Sequence, residues 1–281
     1  MKNYSYITYL GSDDYLIGVL ALNYQLKKYK SKYPLVVLTS HELSENTIDI
    51  IKEKGLCFMF VDKIKLSEQI IYNNKKMGVD NWNKTFEKLK LFGLISFKKI
   101  VYLDADMLIL NNLDHLFNEK NLSSVISGTK YPGNEDWPQT LNSGLIVIVP
   151  KKNEDKRLIS LIGKGDMKNA GGDQGVIHAA YPNWPEQKEL HLSENYNLLA
   201  PYESYYLSKG IIDHSNLNIV HYIGSPKPWN FSFTRKNKYI LREIYKAIFK
   251  NHSIKGIKYT INDFLYYYSL CKKIKQNLHK F

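Results

Sequence analysis

The chain has 281 residues, of which 44% are hydrophobic and 23% charged, enough to bury one large core. No segment approaches the ~18 consecutive apolar residues of a membrane span, and no apolar run near the N-terminus suits a signal peptide, so a cytoplasmic enzyme is expected and a membrane-embedded one excluded. The net charge of +12 is not spread evenly: residues 231–281 hold 12 Lys/Arg against 2 Asp/Glu, net +10, which leaves +2 for residues 1–230. Basicity therefore belongs to a tail, which argues against a nucleic-acid-binding core.

In chain order, strand-like runs fall at Tyr6–Leu10, Leu35–Thr39, Cys57–Val61, Lys99–Leu103, Ser124–Ser127 and Leu145–Val149. Between them lie stretches with helical apolar spacing, including Asp14–Tyr29, Ser44–Lys54 and Lys84–Phe97, the first two opened by residues suited to N-caps. The alternation predicts an α/β fold with a mainly parallel sheet. Residues 231–281 read as helices with interleaved Tyr, Phe, Ile and Lys, suited to covering the core or to lying on another surface. Cys57 and Cys271 are too far apart for metal-ligand spacing and fit a reducing compartment.

The chemistry concentrates at a few points. Ile100–Leu103 is a buried-strand pattern, and Asp104 and Asp106 follow at its end, where open α/β sheets bind ligands. Two carboxylates in an apolar stretch need a cation, and a divalent metal is the best candidate. Fourteen Asp in 281 residues give about 0.7 Asp-x-Asp by chance, so context must carry the assignment. Asn142-Ser143-Gly144 precedes one apolar run, and Gly171-Gly172-Asp173-Gln174-Gly175 precedes a helical stretch. Each reads as a turn or helix start; together they supply the amide and carboxylate groups that sugar hydroxyls need, beside glycines that admit a ligand. In the segment His221–Trp229, His221 offers a neutral nitrogen to the same metal, Gly224 a close backbone approach and Lys227 a charge for phosphate. One site for a metal diphosphate is the common reading.

The order of these motifs resembles glycosyltransferase family 8, above all its glycogenin and galactinol-synthase-like members, over roughly residues 4–233. The resemblance implies a GT-A fold, a single Rossmann-like nucleotide-sugar-binding domain with a mixed, mainly parallel sheet in residues 1–230, followed by a basic helical extension in 231–281. It implies retaining transfer of a hexose, glucose first, from a UDP-sugar with Mn²⁺, with Mg²⁺ the alternative metal. Position by position, Asp104, Asp106 and His221 would be metal ligands, with Asp104 and Ala105 also near the ribose. Gly224 and Lys227 would contact the diphosphate. Tyr15 would face the uracil, with Leu10 and Gly11 alongside. Lys88 matches a donor-contacting lysine. Asn142, Ser143, Gly144, Asp173 and Gln174 would surround the transferred sugar, with Asp173 or Gln174 nearest the reacting carbon. UDP-galactose and UDP-N-acetylglucosamine remain alternative donors.

The departures also carry information. Gly11 and Ser12 stand where glycogenin-like proteins have Thr and Asn, and Ser204 stands where glycogenin has its self-glucosylated tyrosine, although Tyr202, Tyr205 and Tyr206 lie nearby. A carbohydrate or protein acceptor other than the chain itself is therefore expected, with self-priming the alternative. An anionic membrane face reached through the tail and a homodimer stay open as further partners; nucleic acid is not expected. A haloacid-dehalogenase-type phosphatase would also place Asp-x-Asp after a strand, but near its N-terminus, and it has no use for the segment His221–Trp229.

Overall fold

The computed structural model describes residues 3–164 and 172–278. The first apolar run forms β1 (Tyr4–Leu10), and a single 3-10 turn leads into α1 (Leu16–Lys28). There follow β2 (Leu35–Ser40), α2 (Glu45–Glu53), β3 (Cys57–Val61), α3 (Glu68–Lys76), β4 (Lys99–Leu103), β5 (Met107–Ile109), β6 (Ser124–Val125) and β7 (Leu145–Ile148). The remainder is α4 (Glu154–Ile159), α5 (Asp173–Ala180), β8 (His191–Leu192), β9 (Leu198–Leu199), α6 (Glu203–Ser208), β10 (Ile219–His221), α7 (Phe233–Phe249) and α8 (Ile254–Gln276).

Seven strands make one sheet in the order β3-β2-β1-β4-β7-β6-β8. β1 runs parallel to β2 and β4, and β2 parallel to β3, while β7 is antiparallel to β4. The parallel strands are apolar nearly throughout because both faces are covered. Alternation then divides them: Val101 and Leu103 enter the core packed with α1, whereas Ile100 and Tyr102 enter the core on the opposite face. A second sheet, β5-β10-β9, begins only three residues after β4 ends, with β10 antiparallel to β5. Residues 104–106 are therefore the crossing between two sheets.

Three details differ from the sequence expectation. Phe86–Gly93 is a 3-10 rather than an α-helix. At three residues per turn, Phe86, Leu89 and Phe92 share one face, and all three are buried. The strand expected at Ser124–Ser127 closes after Val125. Ser44 caps α2 as expected, its hydroxyl accepting from the Thr47 N–H, but α1 has no side-chain cap, and Asp13 instead accepts from the Ser44 N–H.

The two C-terminal helices behave differently. α8 packs against α1 and α6, and its Phe264 and Tyr267 are fully buried with Ile17, Ala21 and Trp229. α7 sits outside it and leaves Phe233, Leu241, Ile244, Tyr245, Ile248 and Phe249 exposed.

Candidate active site

Asp104 and Asp106 leave the end of β4 on the way into β5, so the backbone that fixes them is anchored in both sheets. The Asp104 N–H donates to the Gly144 carbonyl at 2.9 Å and the Tyr222 N–H to the Asp106 carbonyl at 3.0 Å. α1 crosses directly above this segment. A Cβ on Gly18 would stand 2.5 Å from the Ala105 carbonyl oxygen, so only glycine lets the helix come this close.

Burial of two carboxylates requires compensation, and two lysines supply it. Lys88 Nζ lies 2.8 Å from Asp104 Oδ1, which also accepts from the Tyr102 hydroxyl at 2.6 Å. Lys227 Nζ donates to Asp106 Oδ2 and to the Tyr222 carbonyl. Burial works against the charge of Lys88, yet Asp104 and Asp173 hold its ammonium above the usual lysine range. Burial would likewise raise the Asp106 carboxyl, but His221 and Lys227 outweigh it and hold the group below the usual carboxylate range.

His221 ends β10, directly opposite Met107 of β5, and this register sets its ring beside the carboxylates. Its Nε2 is 3.1 Å from Asp106 Oδ1 and 3.8 Å from Asp104 Oδ2. A chain of hydrogen bonds fixes the tautomer. The Gly144 N–H donates to Asn142 Oδ1, Asn197 Nδ2 donates to the same oxygen, and Asn197 Oδ1 therefore faces His221 Nδ1 at 2.9 Å. Nδ1 therefore carries a proton, which makes Nε2, beside the two carboxylates, the nitrogen available to a metal. One ligand atom from each of Asp104, Asp106 and His221 can be chosen so that all lie within 4.8 Å of one another, a donor set of two oxygens and one imidazole that fits Mn²⁺ or Mg²⁺. A Cβ on Gly144 would come within 2.7 Å of the His221 ring, so this glycine makes room for a ligand side chain.

Asn197 is fully buried and was not singled out in the sequence. Its partners lie 24 and 55 residues away, and no local pattern marks it. Asn197→Ala is expected to weaken metal affinity about 10–100-fold by freeing the His221 ring and its tautomer. Titration of Mn²⁺ followed by electron paramagnetic resonance measures this directly; an unchanged affinity would show that Asn197 only fills space.

Asp173 opens α5, and its N–H donates to Thr85 Oγ1 at 3.2 Å. Its side chain is buried, yet among the described residues Oδ2 has no hydrogen-bond partner; Lys88 Nζ stands 3.6 Å from it. Gln174 Oε1 accepts from the Ser143 N–H at 3.1 Å, which ties the segment Asn142–Gly144 to the start of α5. Gly171 lies outside the described residues. Asp173, Lys88, Asp104, Asp106 and His221 are thus joined by direct contacts.

The expected nucleotide end is assembled from β1, α1 and the turn after β10. Leu10 is fully buried in the core, so it can meet a base only through its backbone. A Cβ on Gly11 would stand 2.7 Å from the Tyr9 ring. Tyr15 packs edge-on to Trp229 at 5.7 Å between ring centroids, and its ring lies 5.7 Å from Lys227 Nζ. Trp229 Nε1 donates to the Asp14 carbonyl, fastening the segment His221–Trp229 to the 3-10 turn before α1. Gly224 has φ +82°, a left-handed conformation that side chains resist.

Comparison with known proteins agrees with this arrangement. The Glycosyl transferase family 8 profile matches residues 6–232. Glycogenin-1 of Oryctolagus cuniculus is 28% identical over 247 residues, covering 86% of this chain and 70% of its own. Among solved structures, the galactosyltransferase LgtC in complex with donor and acceptor sugar analogs superposes with a TM-score of 0.57 at 16% identity, over 86% of this chain and 95% of its own. The apo-form glycosyltransferase GlyE of Streptococcus pneumoniae TIGR4 gives 0.55 at 18% identity, over 98% of this chain and 64% of its own. At those identities the structures speak for the GT-A fold alone. With a family match spanning most of its length and the expected ligands gathered at one sheet edge, the chain belongs to glycosyltransferase family 8.

Proposed function

We propose that the enzyme transfers a hexose, glucose, from a UDP-sugar to a separate carbohydrate or protein acceptor, with retention at the anomeric carbon and with Mn²⁺ holding the diphosphate. The observation that carries this reading is the Asp104–Asp106–His221 cluster flanked by buried Lys88, by Lys227 and by a buried Asp173 oxygen without a hydrogen-bond partner among the described residues. Asp104, Asp106 and His221 would hold the metal, which when bound supplies positive charge for the departing diphosphate.

The remaining work falls to the protein's own groups. Lys227, on the turn with Gly224, offers an ammonium to the diphosphate as negative charge grows on the leaving oxygen. Asp173 offers an unpaired carboxylate oxygen to the positive charge that develops at the anomeric carbon. Lys88 bridges Asp104 and Asp173, so it sets the distance between the two ends of the site. Asn142 and Gln174, already fixed by hydrogen bonds, orient the sugar hydroxyls. Hydrolysis of a UDP-sugar panel with Mn²⁺ identifies the donor: UDP-glucose is expected to turn over fastest, and faster turnover of UDP-galactose or UDP-N-acetylglucosamine would change the sugar without changing the site. Among the described residues no helix is long and apolar enough to cross a membrane.

A glycogenin-like primer is the second reading, and the surroundings of Ser204 weigh against it. Ser204 is fully buried, and its hydroxyl is held by Glu243 at 2.9 Å and lies 3.0 Å from His252 Nδ1. Tyr206 is fully buried, and Tyr202 and Tyr205 pack on Tyr131 at 4.2 and 5.2 Å. Intact mass spectrometry after incubation with UDP-glucose and Mn²⁺ is expected to show a single unmodified mass. A ladder of hexose additions lost in Tyr205→Phe would establish self-priming at a neighbouring tyrosine.

A further inference from the structure

α7 has two working stripes. At about 100° per residue, Phe233, Ile244, Ile248 and Leu241 fall within one narrow wedge, and Tyr245 and Phe249 extend it. These are among the most exposed large apolar residues of the chain: Phe233 is 71%, Leu241 63%, Ile248 66% and Phe249 64% exposed. An apolar face of this kind, interrupted only by Asn237 between Phe233 and Leu241, marks a contact surface. Basic residues border it on both sides, with Arg235, Lys238 and Arg242 along one flank and Lys236 on the other. The helix has one acidic residue, Glu243, which is turned inward and fully buried.

The basic flank also walls a cleft of about 680 Å³, closed on its far side by the turn Tyr222–Pro226. Three cations and no carboxylate line it. Arg235 and Lys238 make no ion pair among the described residues, and Arg242 reaches only Glu243, at 3.4 Å, which Lys246 already neutralises. The free positive charge of Arg235 and Lys238 in a cleft of this size describes a receptor for a phosphate-bearing ligand.

We propose that α7 lies on an anionic membrane face, with its Phe233–Leu241–Ile248 stripe among the acyl chains and the Arg235–Lys238–Arg242 cleft around the phosphate of a lipid headgroup. A bilayer suits this helix better than a protein groove does: its cations sit at the borders of the apolar stripe, where long side chains reach from acyl depth to the phosphates. Each basic residue near an anionic leaflet strengthens attachment, and the extension as a whole is strongly basic. Because Gly224 lines the same cleft, a headgroup held there would adjoin the donor; this consequence alone rests on the proposed UDP-sugar site.

Vesicle flotation of the full-length protein tests the proposal. Phosphatidylcholine vesicles containing phosphatidylglycerol should carry the protein at low salt, and pure phosphatidylcholine should not. Leu241→Glu with Ile248→Glu, and separately Arg235→Glu with Lys238→Glu, should each weaken vesicle binding at least about tenfold. Both double variants should keep wild-type UDP affinity, which shows that they fold and separates this test from the fate of the donor site. Absence of wild-type binding at low salt would overturn the proposal, as would equal binding to neutral vesicles or an unchanged affinity in either variant. A wild-type dimer that Leu241→Glu with Ile248→Glu converts to monomer would overturn it in favour of a second copy of the chain.

Discussion

Asp106→Ala is expected to lower UDP affinity in the presence of Mn²⁺ by at least about a hundredfold, close to 2.7 kcal/mol. His221 meets one oxygen of Asp106 and Lys227 the other, with His221 and Asp106 buried and Lys227 mostly so. Removal of the carboxylate leaves two ligands for the metal and a diphosphate facing Asp104 without a cation between them. Lys227, released from its partner, offsets part of the loss, but one ammonium carries half the charge of the divalent ion that the three ligands would hold. Calorimetric titration of UDP with Mn²⁺ and then with EDTA decides the matter. Wild-type affinity that survives EDTA would overturn the metal-bridged reading whatever the variant does, and Asp104→Ala should behave like Asp106→Ala.

The part of this site that the sequence shows is the part held by one strand. Buried-strand residues Ile100–Leu103 followed at once by two carboxylates signal a ligand-binding sheet edge, because only a cation makes such burial affordable. The antiparallel pairing of Leu103 with Leu145 then carries Asn142–Gly144 to the same edge, a consequence of strand order that composition does not reveal. His221 is harder still. Its place depends on β5 and β10, three residues each, in a second sheet too short to leave a periodic pattern. Family resemblance pointed to His221; its geometry comes from the pairing of Met107 with His221.

Asn197 and Tyr102 mark the limit of such reading. Tyr102 looks like an ordinary strand residue, and its ring is in the core, but its hydroxyl reaches Asp104. Asn197 precedes a two-residue strand and acts only through partners remote in sequence. Helix expectations failed where packing overrode pattern: between Phe86 and Gly93 the threefold spacing of Phe86, Leu89 and Phe92 serves a tighter helix, which also turns Lys88 toward Asp104. The basic tail divides the same way. Tyr, Phe and Lys are interleaved in both of its helices, and only the packing shows that α8 completes the core while α7 keeps an apolar stripe outside.

Asp173→Asn is expected to slow hexose transfer and donor hydrolysis by at least about a hundredfold while leaving UDP affinity intact, a loss near 2.7 kcal/mol confined to the transition state. The side chain is buried and its Oδ2 has no hydrogen-bond partner among the described residues, so the carboxylate carries a desolvation cost. Lys88 at 3.6 Å relieves that cost without closing a hydrogen bond, which keeps the oxygen available. A carboxamide has the same shape but lacks the charge that gains most as positive charge grows at the anomeric carbon. Its carbonyl oxygen would stay toward Lys88 in the place of Oδ2, so the position keeps an acceptor and loses only the charge. The pattern to look for is a fall in kcat with an unchanged dissociation constant for UDP. Wild-type turnover in the variant would remove Asp173 from the chemistry and make Gln174, fixed one residue away by the Ser143 N–H, the next residue to replace. A matching loss of UDP affinity would instead show that Asp173 acts by holding Lys88 against Asp104.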